Sequence, residues 1–444
     1  MKKALSKALC VISIAALLFG MSACANNGEA KTDTNQPVSE KKSETDNNGA
    51  KDKVTLKLWH MWVSDSDGNK KPFQNVLKHV EEQFKDVELV VEGIDNESYK
   101  TKLKNSVSTN QLPDIFFTWS AGFSKPFVES GKVLALDEYI GDLKGKLLPG
   151  ITDSMTYDGK VYGLPYQMQV APLYCNKELF EQNGVKIPET YEELLTAVNT
   201  FSKKGITPMV NGAKELWPAM FYYDILALRT AGAQQCINAL NKKSSFDSPE
   251  FIDAAAKLVE LSKAGAFGEN PLKLSYDSGN TQFAEGKAAM LFNGNWVAGV
   301  VESETSQVKG KIIATKFPLI SGGKGIATEY LGGAGDGFMV SSNTPNKDLA
   351  VKVVKFIAED MAREAYLANA GMPGWNVQVD DSNISPMVKQ MVNMTKDSTA
   401  WVLWWDVFLE SADADIHKNL VVELIAGQIS PEDFAKEMQK LNDK

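Results

Sequence analysis

The residues of this sequence best suited to binding a ligand are tryptophans with polar neighbours. Trp296 follows an Asn-Gly-Asn turn at 293–295, so a large ring stands beside two amide side chains. Trp404, Trp405 and Asp406 bring two more indoles next to a carboxylate. Indole faces stack on apolar ring faces, while amide and carboxylate oxygens accept hydrogen bonds from hydroxyl groups. These residue types predict noncovalent binding of a polar ring, although core packing is an equally ordinary role for a tryptophan.

The adjacency of Trp404 and Trp405 limits where they can point. Neighbouring residues on a helix or strand cannot both face one core. We expect Trp405 at a ligand-binding cleft, with Asp406 beside it to accept hydroxyl groups. The alternative is a tryptophan-rich contact between helices.

The amino-terminal part of the chain predicts the elements that would position further indoles. Apolar residues alternate over Val54 to Trp59 and recur at helical spacing from Phe73 to Phe84. A second strand follows at Val87 to Val91, a weaker helix at Tyr99 to Val107 and a third strand at Asp114 to Phe117. Strands separated by helices pair in parallel through right-handed crossovers.

Ligands of open parallel sheets bind beyond the carboxyl ends of the strands. Trp62 follows the first predicted strand and Trp119 follows the third, so we expect both to contact a ligand. Trp59 still continues its strand and is expected in the core. His60 could ligate a metal, but the other histidines form no ligand spacing with it, and no metal site is predicted.

A series of motifs resembles one known family. The family is that of the extracellular solute-binding proteins that feed sugars to ABC importers, the maltose-binding-protein-like family 1 group. The motifs are LPDIFF at 112–117, DGKVYGLPY at 158–166, YCNKELF at 174–180, IPETYEELL at 187–195 and FAEGKAAMLFNGNW at 283–296.

This resemblance implies an α/β, periplasmic-binding-protein-like fold. Two α/β lobes would be joined by a multi-strand hinge, with a ligand cleft between them. The chain would cross between the lobes near 167–169, 329–333 and 381–385. The amino-terminal lobe would then hold 54–166 plus 333–380, and the carboxyl-terminal lobe 167–332 plus 381–444.

The resemblance also adds candidates for ligand contact. Gln167 and Gln169 follow a Pro-aromatic step, and in the family the residues after this step face the cleft and can contact hydroxyl groups. The alternative is that both glutamines are surface residues of a loop. Trp217 begins a Trp-Pro pair near the cleft, and the glycine-dense hinge strand lets a ligand approach the backbone. Independently of the resemblance, Trp375 ends the loop 371–375, which is rich in glycine and predicted to expose the indole. The complete predicted ligand-binding set is Trp62, Trp119, Gln167, Gln169, Trp217, Asn295, Trp296, Gly332, Gly333, Trp375, Trp405 and Asp406.

The function expected from the resemblance is capture of a sugar or oligosaccharide outside the cell and delivery to ABC transporter permease subunits. No catalytic residue and no cofactor is predicted, and a monomer is expected. A net charge of −9 and the lack of a basic, aromatic-rich cluster exclude nucleic acid as the expected partner. The alternatives are the same fold binding a polyamine or metal chelate, and a secreted glycoside-acting enzyme, which would need two poised carboxylates.

The amino terminus predicts export and anchoring. A basic start and a short apolar run indicate a lipoprotein signal peptide at 1–23. The sequence before Cys24 resembles a lipobox, so Cys24 is the predicted lipidation site, and the polar stretch 24–53 is a predicted disordered tether. The protein is therefore expected on the extracellular face of the cytoplasmic membrane, held there only by its lipid. Cys175 and Cys236 are predicted to be buried free thiols rather than a disulfide.

Overall fold

The computed structural model describes residues 53–443. The predicted signal peptide 1–23, the lipidation site Cys24 and nearly all of the predicted tether 24–53 lie outside the described residues. Over the described range, no helix is both long enough and apolar enough to cross a membrane.

Strands and helices alternate along most of the chain. The strands are β1 (Val54–His60), β2 (Val87–Gly93), β3 (Ile115–Trp119), β4 (Thr156–Tyr157), β5 (Lys160–Val161), β6 (Gly163–Leu164), β7 (Gln167–Val170), β8 (Leu173–Asn176), β9 (Thr207–Met209), β10 (Ala288–Phe292), β11 (Ile312–Thr315), β12 (Glu329–Gly333), β13 (Asp336–Val340), β14 (Met372–Pro373) and β15 (Ala400–Val402). The α-helices are α1 (Lys70–Gln83), α2 (Asn96–Thr109), α3 (Ala121–Glu129), α4 (Lys177–Asn183), α5 (Tyr191–Lys203), α6 (Trp217–Ala231), α7 (Ala233–Leu240), α8 (Pro249–Lys263), α9 (Tyr276–Ala284), α10 (Ala298–Val301), α11 (Lys347–Leu367), α12 (Pro386–Met394), α13 (Trp405–Phe408), α14 (Ser411–Ile425) and α15 (Pro431–Asn442).

The first sheet has the strand order β2-β1-β3-β13-β6. β1 pairs in parallel with β2 and β3, which confirms the predicted strand–helix–strand beginning. β13 joins this sheet from far along the chain and runs antiparallel to β3, with Phe338 opposite Phe117. The apolar stripe of α1 is buried, and the strands β3 and β13 are buried along nearly their whole length.

The second sheet has the order β11-β8-β10-β9. Its central strand β10 is completely buried, as its unbroken apolar sequence requires. β10 runs antiparallel to β8 and parallel to β9, with Met290 opposite both Cys175 and Met209. The helix before β10 ends at Ala284, because Gly286 takes a positive φ of 76° and turns the chain into the strand.

A third, short sheet has the order β14-β7-β12-β15. It contains the first two predicted crossing segments, and Gly332 of β12 faces Val170 of β7. A Cβ atom on Gly332 would lie 2.2 Å from the backbone oxygen of Gln169, so only glycine permits this close strand pairing. The third predicted crossing segment, 381–385, forms no strand, and the exact lobe boundaries stay a prediction.

Two large hydrophobic cores lie on different sheets. One includes Phe73, Phe117 and Phe338 around the first sheet. The other includes Met290, with Leu226 and many further residues of the helices around the second sheet. A smaller cluster packs α12 against the second and third sheets. Two separate cores joined by hinge strands are the arrangement expected of a two-lobed α/β protein.

Helix caps and cysteines fix several local features. Thr190 and Glu193 form a complete capping box at the start of α5, and Ser430 caps α15. Cys175 and Cys236 are buried free thiols, as predicted, and Cys236 lies inside α7.

Candidate functional site

A cavity opens where segments from both large sheets meet. It encloses about 930 Å³ of space between protein atoms, its open mouth included. Eight aromatic residues line it, namely Trp62, Trp119, Tyr166, Trp217, Phe221, Tyr276, Trp296 and Trp404. The polar and charged lining consists of Ser64, Asp67, Asn69, Asp95, Asn96, Lys100, Gln167, Gln169, Asp277, Asp336 and Asp406. Aromatic walls with a limited set of polar groups are typical of small-molecule sites.

Trp62 and Trp119 reach the cavity from the carboxyl ends of β1 and β3, as predicted. Trp62 is 3% exposed and packs on Phe73 and Phe117 at centroid distances of 4.7 and 4.8 Å. Its position is fixed through His60, whose Nδ1 accepts a hydrogen bond from the Trp62 backbone N–H at 3.2 Å. Burial lowers the pKa of His60 to about 4, which keeps the imidazole neutral and able to accept.

The opposite wall is built from indoles held in mutual contact. Trp404 stacks on Phe221 with a centroid distance of 4.5 Å and an interplanar angle of 14°. Trp296 meets Trp404 edge-on at 5.5 Å, and its Nε1 donates to the hydroxyl of Tyr276 at 2.8 Å. Trp217, at the first turn of α6, lies 4.6 Å from the Tyr276 ring. These contacts fix the indole faces in place before a ligand arrives, which lowers the entropic cost of binding.

A hydrogen-bonded chain crosses the floor of the cavity. Trp404 Nε1 donates to Gln169 Oε1 at 3.0 Å, and Gln169 Nε2 donates to Asp336 Oδ2 at 2.8 Å. Gln167 Nε2 donates to the Tyr166 hydroxyl at 2.7 Å. Both predicted glutamines are therefore buried members of the cavity floor rather than surface loop residues.

Two carboxyl groups of the cavity titrate far above their usual range. Burial raises the pKa of Asp336 to about 7, against the opposing effect of the hydrogen bond from Gln169. Asp67 keeps part of its surface accessible through the cavity, yet enclosure by the walls raises its pKa to about 6, with the negative charge of Asp277 adding to the effect. Perturbed carboxyl groups in a cleft are typical of functional sites.

Four buried acceptor oxygens that line the cavity have no hydrogen-bond partner among residues 53–443. They are Asn69 Oδ1, Asn96 Oδ1, Gln167 Oε1 and Asp336 Oδ1. Buried polar atoms are nearly always paired, so each unpaired one needs an explanation. A ligand that brings hydroxyl groups would supply the missing donors.

Three other predicted residues belong to the hinge rather than to the cavity lining. Asn295 is completely buried, and its side chain bonds the backbone N–H of Val170 at 3.1 Å and the carbonyl of Met168 at 3.3 Å. Gly332 and Gly333 are the paired end of β12. All three hold the strands beneath the cavity floor together, and the structure does not place them against its open space.

Trp375 and Trp405 require correction, because neither lines the cavity. Trp375 is 2% exposed rather than displayed on its loop, and its Nε1 donates to the carbonyl of Pro165 at 2.8 Å. Trp405 is fully buried against Tyr223 and His417, at centroid distances of 5.5 and 5.1 Å. One of the adjacent pair does face the cavity, as predicted, but it is Trp404, with Asp406 on the same side.

Several lining residues carry no clear sequence signal. Asp67 and Asn69 lie in the loop after β1, and Tyr276 and Asp277 begin α9, so their proximity is a tertiary effect. Asp336 could have been predicted as a site residue, because a carboxylate at the start of an otherwise apolar, buried strand is unusual unless it has a functional role.

One polar cluster lies away from the cavity, between α1 and α11. Ligand-capable atoms of His79, Asp360 and Glu364 lie within 4.8 Å of one another. Arg363 fills the same space, since its Nε donates to Asp360 at 3.0 Å and its guanidinium lies 3.1 Å from a Glu364 oxygen. The guanidinium already compensates these carboxylates, so the geometry fits an ion-pair network that joins two helices.

The chain has clear relatives among sequences and solved structures. The family model described as bacterial extracellular solute-binding protein matches residues 65–364. The multiple sugar-binding protein of Streptococcus mutans is 28% identical over 306 residues, which are 65% of this chain and 68% of that protein.

Two solved structures cover most of the described range. A chain solved in work on xylan utilization by the thermophilic bacterium Caldanaerobius polysaccharolyticus is 43% identical, with a TM-score of 0.85 over 87% of this chain and all of the other. A chitin oligosaccharide binding protein is 26% identical, with a TM-score of 0.80 over 88% of this chain and 99% of the other. These likenesses confirm the two-lobed, periplasmic-binding-protein-like α/β fold. The chain belongs to the family of bacterial extracellular solute-binding proteins.

Proposed function

We propose that this protein captures a sugar or oligosaccharide outside the cell and delivers it to the permease subunits of an ABC transporter. The observation that carries the proposal is the combination of fixed indole walls with buried, unpaired acceptor oxygens in one cavity. A sugar ring presents apolar C–H faces to the indoles and hydroxyl donors to the oxygens. Neither feature alone would select a sugar, but together they match both sides of its surface.

The relatives support the same ligand class and suggest where to begin. The relatives named above include a multiple sugar-binding protein, a chitin oligosaccharide binding protein and a protein from a xylan-utilizing bacterium. Because that last chain shares 43% identity with this one, xylan-derived oligosaccharides are the first sugars to test. Within this proposal the protein binds its sugar without transforming it.

Two contacts between segments that carry opposite walls of the cavity support a closing motion. Ser64, which follows β1, donates its hydroxyl to Asp277 of α9 at 2.7 Å. Lys125 of α3 reaches Glu410, just before α14, at 2.7 Å. Opening the cleft would break these contacts, and a ligand that touches both walls would favour the closed state through its differential affinity.

The test is a binding titration of the purified protein, followed by intrinsic tryptophan fluorescence and calorimetry. The panel contains xylo-, chito-, malto- and galacto-oligosaccharides, with spermidine and a ferric chelate as non-sugar arms. Saturable binding of one sugar series is the expected result. Binding of spermidine or the chelate, with no response to any sugar from folded protein, would move the ligand outside the carbohydrates.

A pair of variants locates the bound sugar. Trp296→Ala removes an indole from the cavity wall, and Trp401→Ala removes a half-buried indole of β15 that does not line the cavity. Loss of affinity is expected only for Trp296→Ala. Equal effects of both variants would argue against stacking in the cavity.

We also propose that Cys24 carries a lipid anchor after removal of residues 1–23. The basic start, the short apolar run and the small residues before Cys24 support this, and an extracellular solute-binding protein needs a route across the membrane. Cys24→Ser should release the protein from the membrane fraction, and mass spectrometry of the native protein should find a diacylated amino terminus at Cys24. Recovery of Cys24→Ser in the membrane fraction would contradict the anchor. Light scattering of the released protein is expected to give a monomer.

A further inference from the structure

The charged residues that line the cavity are mostly acidic. Five lining residues are aspartates and one is a lysine, namely Asp67, Asp95, Asp277, Asp336, Asp406 and Lys100. Lys100 is already engaged, because its Nζ lies 2.9 Å from Glu97 and 5.0 Å from the ring centre of Trp119. No arginine lines the cavity within the described part of the chain. Five carboxyl groups therefore line the cavity against one ammonium group that is already paired.

The hydrogen-bonding atoms show the same bias. The four buried polar atoms of the cavity that lack a partner within 53–443 are all acceptor oxygens. Three of the side-chain amide and indole groups on the cavity floor and wall donate within the protein: Gln167 donates to Tyr166, Gln169 to Asp336 and Trp404 to Gln169. The indole N–H of Trp296 likewise donates to the Tyr276 hydroxyl. The four unpaired oxygens therefore favour a ligand that donates hydrogen bonds to them, and they would repel a negatively charged acceptor.

We infer that the cavity selects sugars that present only hydroxyl or other donor groups to it, and that it rejects sugars bearing an anionic substituent such as a uronic acid. This inference rests on the proposed sugar-binding function and goes beyond it by naming the excluded class. A carboxylate in the cavity would lose its hydration, meet no free cation and lie near several like charges. In a cleft with low-dielectric walls these effects add up.

The test compares three probes that differ in charge. They are xylotriose, xylotriose bearing one glucuronic acid branch, and the methyl ester of that branched sugar, which has its size without its charge. Calorimetry at low and high salt gives the affinities for the full-length protein. The acid is expected to bind at least tenfold more weakly than the ester at low salt, and the gap should narrow at high salt because screening weakens repulsion.

A charge-removing variant provides the second arm. Asp277→Asn is nearly isosteric and takes one negative charge from the cavity, so the ratio of the affinity for the acid to the affinity for the ester should rise roughly fivefold at low salt. Using the ratio cancels any effect of the lost Ser64–Asp277 contact on sugar binding in general. Asp247→Asn removes the same charge from an exposed loop outside the cavity and should leave all affinities unchanged.

The outcomes separate the two proposals. If xylotriose binds and the acid binds as tightly as the ester, the charge inference is wrong and sugar binding stands. If the acid and the ester are both excluded, size rather than charge sets the limit, and the inference is again overturned. If no oligosaccharide of any series binds, the proposed function itself fails and takes this inference with it.

Discussion

The indole of Trp404 and the amide of Gln169 are joined by a hydrogen bond of 3.0 Å, across a sequence separation of 235 residues. Gln169 belongs to the hinge strand β7, while Trp404 lies at the start of α13 and forms part of the aromatic wall. The same glutamine donates to Asp336 on β13 of the first sheet. Gln169 therefore ties the hinge, the aromatic wall and the first sheet together at one point, so a disturbance of this bond should reach all three.

The two adjacent tryptophans should behave in opposite ways when truncated. Trp404→Ala removes a cavity wall and should weaken sugar binding by about 1–3 kcal/mol, with a smaller loss of stability. Trp405→Ala empties a fully buried site and should lower the free energy of unfolding by about 3–5 kcal/mol, with little direct effect on affinity. Calorimetric titration and urea unfolding of both variants measure the two quantities. A larger affinity loss for Trp405→Ala would reverse the assignment of the pair.

A side chain at position 335 should disrupt the Gln169–Trp404 bond. A Cβ atom on Gly335 would lie 2.2 Å from Gln169 Oε1 and 2.9 Å from Trp404 Nε1, so one of the two groups must move. Gly335→Ala is therefore expected to weaken sugar binding at least as much as loss of one neutral hydrogen bond, about 0.5–1.5 kcal/mol.

Gly141→Ala is the matched control for this substitution. An added Cβ there meets no atom within 4 Å. It should leave both affinity and unfolding unchanged, as titration and urea unfolding of the two variants side by side will show. Unchanged sugar affinity in Gly335→Ala would mean that the bond contributes nothing to the site.

Local sequence patterns predicted the elements well where burial is simple. The alternation in β1 and the stripe of α1 each specify one buried face, and each element formed where expected. The ends were less accurate. The helix predicted over Tyr99 to Val107 runs from Asn96 to Thr109 in α2, since Asp95 caps its start by accepting a hydrogen bond from the Ser98 backbone N–H.

The cavity was predictable only in part, for a physical reason. Trp62 and Trp119 were found because the ends of parallel strands meet at one edge of a sheet. The choice between Trp404 and Trp405 depends on the rotation of the short helix α13, and that is set by Asp224 in a distant helix. Trp375 looked exposed because its loop is rich in glycine and proline, yet the backbone carbonyl of Pro165 supplies a buried partner for its N–H. Such partners are invisible in a single sequence.

Asp224 should act as a positioning residue for the aromatic wall. It is fully buried, and its two oxygens accept from His417 Nε2 at 2.9 Å and from the Trp405 backbone N–H at 3.1 Å. This second bond fixes the start of α13, from which Trp404 and Asp406 reach the cavity. Asp224→Ala leaves both donors unpaired and should cost about 3–5 kcal/mol of stability, with weaker sugar binding in the protein that remains folded.

The conservative variant separates positioning from general stability. Asp224→Asn keeps an acceptor for the Trp405 N–H while it removes the charge beside His417. If Asp224 positions the wall, this variant should recover most of the sugar affinity that Asp224→Ala loses, even where thermal unfolding shows a residual loss of stability. Equal affinities of wild type and Asp224→Ala would refute the positioning role.

The raised pKa of Asp336 predicts a particular dependence of stability on pH. Burial raises this pKa from its ordinary value of 3.8 to about 7, so the folded protein holds the proton more tightly than the unfolded chain does. The stabilisation from this group is therefore fully present below pH 3.8 and is lost as pH rises through about 7. Asp336→Asn keeps an acceptor oxygen for Gln169 but cannot ionise. The variant should therefore gain stability relative to wild type as pH rises from 3.8 to about 7, by at most about 4 kcal/mol.

Urea unfolding of wild type, Asp336→Asn and the exposed-site control Asp247→Asn at pH 5 and pH 8 measures this gain in stability. The difference in free energy of unfolding between variant and wild type should grow with pH for Asp336→Asn but not for Asp247→Asn, because Asp336 is buried on folding and Asp247 stays exposed. A difference that is the same at both pH values for Asp336→Asn would show that Asp336 ionises as an ordinary exposed carboxyl does.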